Sequence, residues 1–334
     1  MLRAGSVLQR VLSPELTDHA LSFRAWISLV MAFTLAACVS SPQTESLHHA
    51  IPAPLSSPVN LSDVAFFPQA DYQCGPAALA TVLNYSAVAV TPDELVPQVY
   101  IPARRGSLQI EMLAATRRYG QIAYVLSGSL SEMLQEVGNG KPVLVMQNLG
   151  LSRWPQWHYA VVVGYDLTRS EIRLRSGTIR DYVMPLALFE KTWARADHWA
   201  VVALTPGELP VHADEIAYFQ RVADFEQSQS GEPAIRSWRA GLQRWPVSRL
   251  MSMGLSNQLY AQGNMPEAAQ VLQQLLLADA GFASAHNNLA WISLELGDSV
   301  AALHHAQRAV ELDADDDNFR STLQAVQSKI SSGK

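Results

Sequence analysis

The stretch DYQCGPAALATVLNY, residues 71–85, sets a cysteine among polar neighbours at the start of an apolar, helix-like run. The chain has 334 residues and only two cysteines, Cys38 and Cys74. A sulfur at a helix N-terminus meets unpaired backbone N–H groups and the positive end of the dipole, and both favour the thiolate. The thiolate is the nucleophile, so this placement suits covalent catalysis; a lone cysteine beside apolar residues also serves as inert packing. A nucleophilic cysteine needs a base supplied by the fold. Of nine histidines, only His158 and His198 fall in the mixed helix-and-strand part of the chain. His158 opens HYAVVVGYD after a loop rich in tryptophan and proline, where a strand end can face a cleft. His198 reads as a turn residue before the last strand. The chemistry nominated is a Cys74 nucleophile with His158 as general base.

The elements that must hold these two residues follow from pattern. A helix runs from Cys74 or Gly75 to Tyr85. A second starts at Thr91-Pro92-Asp93-Glu94, with a threonine cap, proline in the first turn and acid beside it. A third follows Ser107 and stops at Gly120. The runs IAYVL, VLVMQ, HYAVVVGY, EIRLR and WAVVAL then read as strands, two of them apolar enough to be central. Helices followed by strands predict an α+β unit over residues 63–207.

From about residue 212 the pattern turns helical and repeats. Gly263 and Gly297 lie 34 residues apart, as do Leu255 and Leu289, and Ala268 and Ala302. Ala234, Trp238 and Leu242 extend the series backwards. This period and its glycine turns resemble tetratricopeptide (TPR) repeats over residues 212–330, an all-α stack of helical hairpins that buries its faces only by stacking. The resemblance implies a protein partner for this stack.

The N-terminus reads as an address. Arg24, an apolar run from Ala25 to Ala36 and small residues after it form a secretory signal, too short to span a bilayer. Leu35-Ala36-Ala37-Cys38 resembles the bacterial lipobox, which implies a signal peptide over residues 1–38 and a lipid on Cys38. Val39 in place of aspartate implies the outer membrane, facing the periplasm. Residues 39–62, rich in serine and proline, read as a flexible tether. Cys74 would then be the one free thiol.

DYQCGPAALATVLN followed by HYAVVVGYD is similar to the papain-like double-glycine cysteine peptidases that process bacteriocin leaders, over residues 65–204. The resemblance implies Cys74 as nucleophile, His158 as base, and Gln69 as oxyanion-hole donor with the cysteine backbone N–H. Gln69 precedes Cys74 by five residues where family members have six, so Gln73 is its rival. The family's orienting acid has no counterpart: Asp166 lies eight residues along the strand from His158, about 26 Å away. A hairpin turning near Thr168 would instead bring His158 to residues 176–178, making Ser176 the orienting candidate.

The leading expectation is a lipid-anchored periplasmic cysteine peptidase that cleaves an exported protein or peptide through a thioester, with the TPR repeats recruiting substrate or partner. A rival is a catalytically silent adaptor that assembles envelope proteins. Acyl transfer to an amine would share the first chemical step. No cofactor is expected, and no metal, since H-E-x-x-H is absent and the histidines lack ligand spacing. A net charge of −6 without basic aromatic runs argues against nucleic acid.

Overall fold

The computed structural model describes residues 41–69 and 73–332. The expected signal peptide and Cys38 lie outside the described residues.

The segment expected to be a flexible tether is docked. Helix α1 (Pro42–His49) is capped from outside: the buried Glu190 accepts from the backbone N–H of Gln43 at 2.9 Å and of Thr44 at 2.7 Å. Leu47 and Leu55 are buried, and strand β1 (Val59–Asn60) pairs antiparallel with Tyr165 and Gly164. Serine and proline content predicted no order here. A buried carboxylate on two orphan N–H groups and two buried leucines supply it instead.

Helix α2 (Cys74–Tyr85) follows, with Ala77, Ala78, Leu79, Val82 and Leu83 buried. Helix α3 (Pro92–Val99) opens with the capping box expected of Thr91 and Glu94. A small ribbon of β2 (Tyr100–Ile101) and β3 (Gly106–Ser107) leads into α4 (Gln109–Arg118). Then come β4 (Ile122–Val125), α5 (Leu130–Gly138), β5 (Val143–Asn148), β6 (Trp157–Asp166), β7 (Glu171–Ser176), β8 (Ile179–Pro185), α6 (Leu186–Ala194) and β9 (Ala200–Leu204). Among the described residues they form an antiparallel sheet in the order β4-β9-β5-β6-β7-β8, with β1 added on β6. β8, α5 and α6 had no expectation in the sequence pattern. β8 is an edge strand whose residues are exposed except Met184, so it shows no apolar alternation.

The sheet's alternation feeds two cores. Leu144, Met146, Tyr159, Val161 and Val163 pack with α2, α3 and α4. Val143, Val145, Ala160 and Val162 pack with α5 and α6. That second core continues into the helical stack through Tyr218, Trp238, Leu272 and Ile292.

The stack pairs α7 (Glu215–Glu226) with α8 (Glu232–Arg244), α9 (Arg249–Ala261) with α10 (Met265–Ala278), and α11 (Ala283–Glu295) with α12 (Ser299–Leu312). Helix α13 (Asp317–Ser331) closes it. The turns of the second and third hairpins contain Gly263 and Gly297 at φ 78° and 81°, the left-handed conformation for which glycine has no steric cost. No helix among the described residues is long and apolar enough to cross a membrane.

Candidate active site

Cys74 is the first residue of α2 and is half-buried. Its N-cap, Gln73, makes no capping bond through its side chain. The thiol lines a small cavity of about 10 Å³ with Gln69, Tyr159, Arg175, Ser176 and Gly177. That is room for about one water. Of the two rival glutamines, the structure therefore places Gln69 in the cavity. The Gln69 backbone N–H donates to the Gly177 carbonyl at 3.2 Å, which ties the two sides of the cavity together.

His158 is the second residue of β6 and pairs with Gln147 of β5. Its Nε2 lies 2.8 Å from Ser176 Oγ at the end of β7. Among the described residues no carboxylate shares in that bond. In the tautomer protonated at Nε2, the ring donates to Ser176 and leaves Nδ1 bare. The imidazole reaches the cavity through Ser176; among the described residues no hydrogen bond joins it directly to the thiol.

The pairing of His158 with Ser176 depends on one irregularity. Near the β6–β7 turn Asp166 pairs with Glu171 and Tyr165 with Ile172, but beyond it Val162 pairs with Leu174 and Val161 with Arg175. The register slips by one residue between Val162 and Gly164. Continued without that bulge, Ser176 would fall on the face opposite His158. The slip falls where β1 pairs alongside β6, and there a Cβ on Gly164 would collide with the Val59 carbonyl.

Electrostatics depart from the expectation of a resting thiolate. Burial pushes the Cys74 thiol above its ordinary value, against the lowering effect of the backbone N–H groups of Tyr159, Gly75 and Cys74 itself. Burial also lowers His158. Both shifts favour the neutral form, and at the thiol burial outweighs the helix terminus and its N–H groups.

Sequence reasoning missed Arg175. Its side chain is 2% exposed and lines the cavity. The guanidinium donates to the carbonyls of Val64, Leu61, Ser62 and Arg180, and pairs with Asp181. These contacts pin the segment that leads to Gln69 against the β7–β8 hairpin that carries Ser176. An arginine inside the otherwise apolar-alternating EIRLRS was the available signal, since buried arginine requires saturated donors. His198 is elsewhere, with its ring edge-on to Trp193 at 4.8 Å. Asp166 stays at the far end of β6, bonded to Thr168.

Residues 61–200 match the model of the Peptidase_C39 like family. Residues 225–281 and 255–317 match the tetratricopeptide repeat. Similar solved structures include a C39-like peptidase from Bacillus anthracis, 19% identical, covering 45% of this chain and 98% of that one, with a TM-score of 0.38. The chaperone SycD of Yersinia enterocolitica, in complex with a peptide of the translocator YopD, is 20% identical over 36% of this chain and 97% of that one, at a TM-score of 0.32. The first TPR domain of Spaghetti, bound to an HSP90 peptide, is 11% identical over 36% of this chain and 98% of that one, at 0.33. No curated protein matches the chain significantly.

Proposed function

We propose that this chain, a C39-like peptidase domain followed by tetratricopeptide repeats, is a lipid-anchored cysteine peptidase of the bacterial envelope that cleaves an exported protein or peptide. One observation carries the reading: Cys74, Gln69 and Ser176 line one cavity, and His158 is bonded to Ser176. A pure scaffold has no physical need for that set.

The neutral resting pair sets the order of events. As Cys74 Sγ attacks the peptide carbonyl carbon, its proton passes to the bare Nδ1 of His158, while the carbonyl π bond becomes an oxyanion. The Cys74 backbone N–H and the Gln69 amide donate to that oxyanion. Collapse breaks the C–N bond, the imidazolium gives its proton to the leaving amine, and a thioester remains. Water, deprotonated by His158, then attacks the thioester, and the thiol leaves with its proton restored. Ser176 holds the ring but supplies no charge. Substrate binding must therefore bring thiol and imidazole together.

The repeats supply a recruiting surface. Asn257, Tyr260, Asn288 and Trp291 of α9 and α11 line a groove of about 320 Å³, wide enough for a peptide segment. The lipid on Cys38 and the periplasmic location belong to the same proposal, and rest on the lipobox-like residues 35–38.

The test is covalent labelling of the full chain with an electrophilic peptide ester. Labelling that disappears in Cys74→Ala and slows in His158→Ala supports the peptidase. Labelling indifferent to His158 supports the second reading, a silent adaptor, which the raised thiol pKa and the absence of a direct thiol–imidazole bond favour.

A further inference from the structure

The turn between β5 and β6, with the first residue of β6, displays Leu149, Leu151, Trp154 and Trp157, which are 49%, 65%, 68% and 54% exposed. Four large apolar side chains in the open on one turn mark an interaction surface rather than random exposure. The turn is built to hold them. Asn148 Oδ1 accepts from the backbone N–H of Gly150 at 3.0 Å and of Gln156 at 2.9 Å. Arg195 donates twice to the Asn148 carbonyl, at 3.1 and 2.9 Å, so the hairpin base is clamped to the end of α6.

Its position in the sheet says what it faces. β5 ends and β6 begins at this turn, β7 ends at Ser176, β4 ends at Val125 and β9 begins at Ala200, all at one end of the sheet. The His158–Ser176 pair is at that end. So is the start of α1: Gln43 donates to the Gly128 carbonyl at 3.1 Å and accepts from the Leu130 N–H at 2.6 Å, just beyond β4. With residues 42–60 docked, no long tether separates the chain from its proposed anchor. Cys38 precedes Pro42 by four residues, which span at most about 14 Å even when extended.

We infer that the β5–β6 turn seats in the headgroup region of the bilayer beside the lipid on Cys38, so that the site opens toward the membrane surface. The inference rests on the lipid-anchor reading above. The turn's composition fits that occupant: two tryptophans and two leucines, with Arg153 and no acid across residues 149–157. Tryptophan concentrates at the membrane–water interface, and arginine is drawn to anionic headgroups. The substrate is then a polypeptide held at the membrane surface, near its own anchor or membrane segment.

The test uses the full chain processed in a bacterial host and reconstituted in phosphatidylethanolamine–phosphatidylglycerol vesicles that carry brominated lipid. The expected result is tryptophan quenching about twofold greater in the native chain than in Trp154→Phe, and reduced in Leu151→Ser, which keeps every tryptophan. Equal quenching in all three overturns the inference. So does quenching relieved by a soluble peptide labelled at Cys74, which would assign the turn to substrate. Mass spectrometry of the Cys38 peptide tests the anchor separately. If Cys38 carries no lipid, the anchor reading fails, and the same comparison on chain added to vesicles decides the turn.

Discussion

On one face of the sheet α2, α3 and α4 close a core of their own, from Val64 to Ala196; on the other a single core runs from Leu47 through α5 and α6 into the helical hairpins as far as Ile292. The two chemical groups come from opposite layers and meet at one end of the sheet, where Ser176 lines the Cys74 cavity and bonds to His158. Cys74 packs against the first core. His158 shares its side of β6 with Ala160 and Val162, which belong to the second, and Ser176 shares its side of β7 with Ile172 and Leu174. The nucleophile is thus carried by a self-contained layer, and the base by the layer continuous with the repeats. The difference teaches that the helical stack is no appended module: its core is continuous with the one behind the strand that carries His158.

The sharpest way to separate the two layers is to remove the thiol. Cys74→Ala should cut peptide cleavage by more than about a thousandfold, with an unchanged melting temperature, because only a half-buried sulfur is lost. A variant that still cleaves would remove the chemistry from this face altogether. Trp238→Ala strikes the other layer. Trp238 is 1% exposed on α8, and its truncation should cost about 3–5 kcal/mol. Because the core is continuous, denaturation followed at the sheet and at the stack should shift together. Two separate transitions would show that the layers are independent.

A third experiment probes the seam. Glu136 of α5 is 1% exposed, accepts from the Val211 N–H at 2.5 Å, and among the described residues has no hydrogen-bond partner for its second oxygen. Burial raises its carboxyl to about 7. A carboxyl raised above its unfolded value of about 4.3 contributes stability that is complete below that value and is lost as pH climbs through 7. Stability should fall by roughly 2–3 kcal/mol from pH 5 to pH 8, and Glu136→Gln should flatten that slope. An unchanged slope in the variant would place the titration elsewhere. The smallest effect tests the orienting hydroxyl. Ser176→Ala should slow cleavage by roughly tenfold, since the ring keeps its place on β6 but loses one hydrogen bond. No change would mean that the strand alone positions the imidazole.

Much of this was visible before folding. The Thr91 capping box, the strands from IAYVL to WAVVAL and the 34-residue repeat are short-range patterns, and each appears where the residues put it. Gln69 was distinguishable from Gln73 only by geometry, because residues one and five positions before a cysteine both reach it in an unfolded chain. The tether failed for a different reason. Residues 42–60 have no strong propensity of their own, and Glu190, which orders them, is more than a hundred residues away.

The sequence by itself determined which residue types were available for chemistry, which elements would form, and that a repeat array would follow an α+β unit. Those depend on periodicities of two, 3.6 and 34 residues, which can be read along the chain. Only the tertiary structure decided that Ser176 meets His158, that Arg175 ties the segment before Gln69 to the Ser176 hairpin, and that the N-terminal segment starts, at Gln43, at the same end of the sheet as the site. The first of these turns on a one-residue slip between Val162 and Gly164, where β1 pairs alongside the strand, and a slip of one residue reverses which face every later side chain presents.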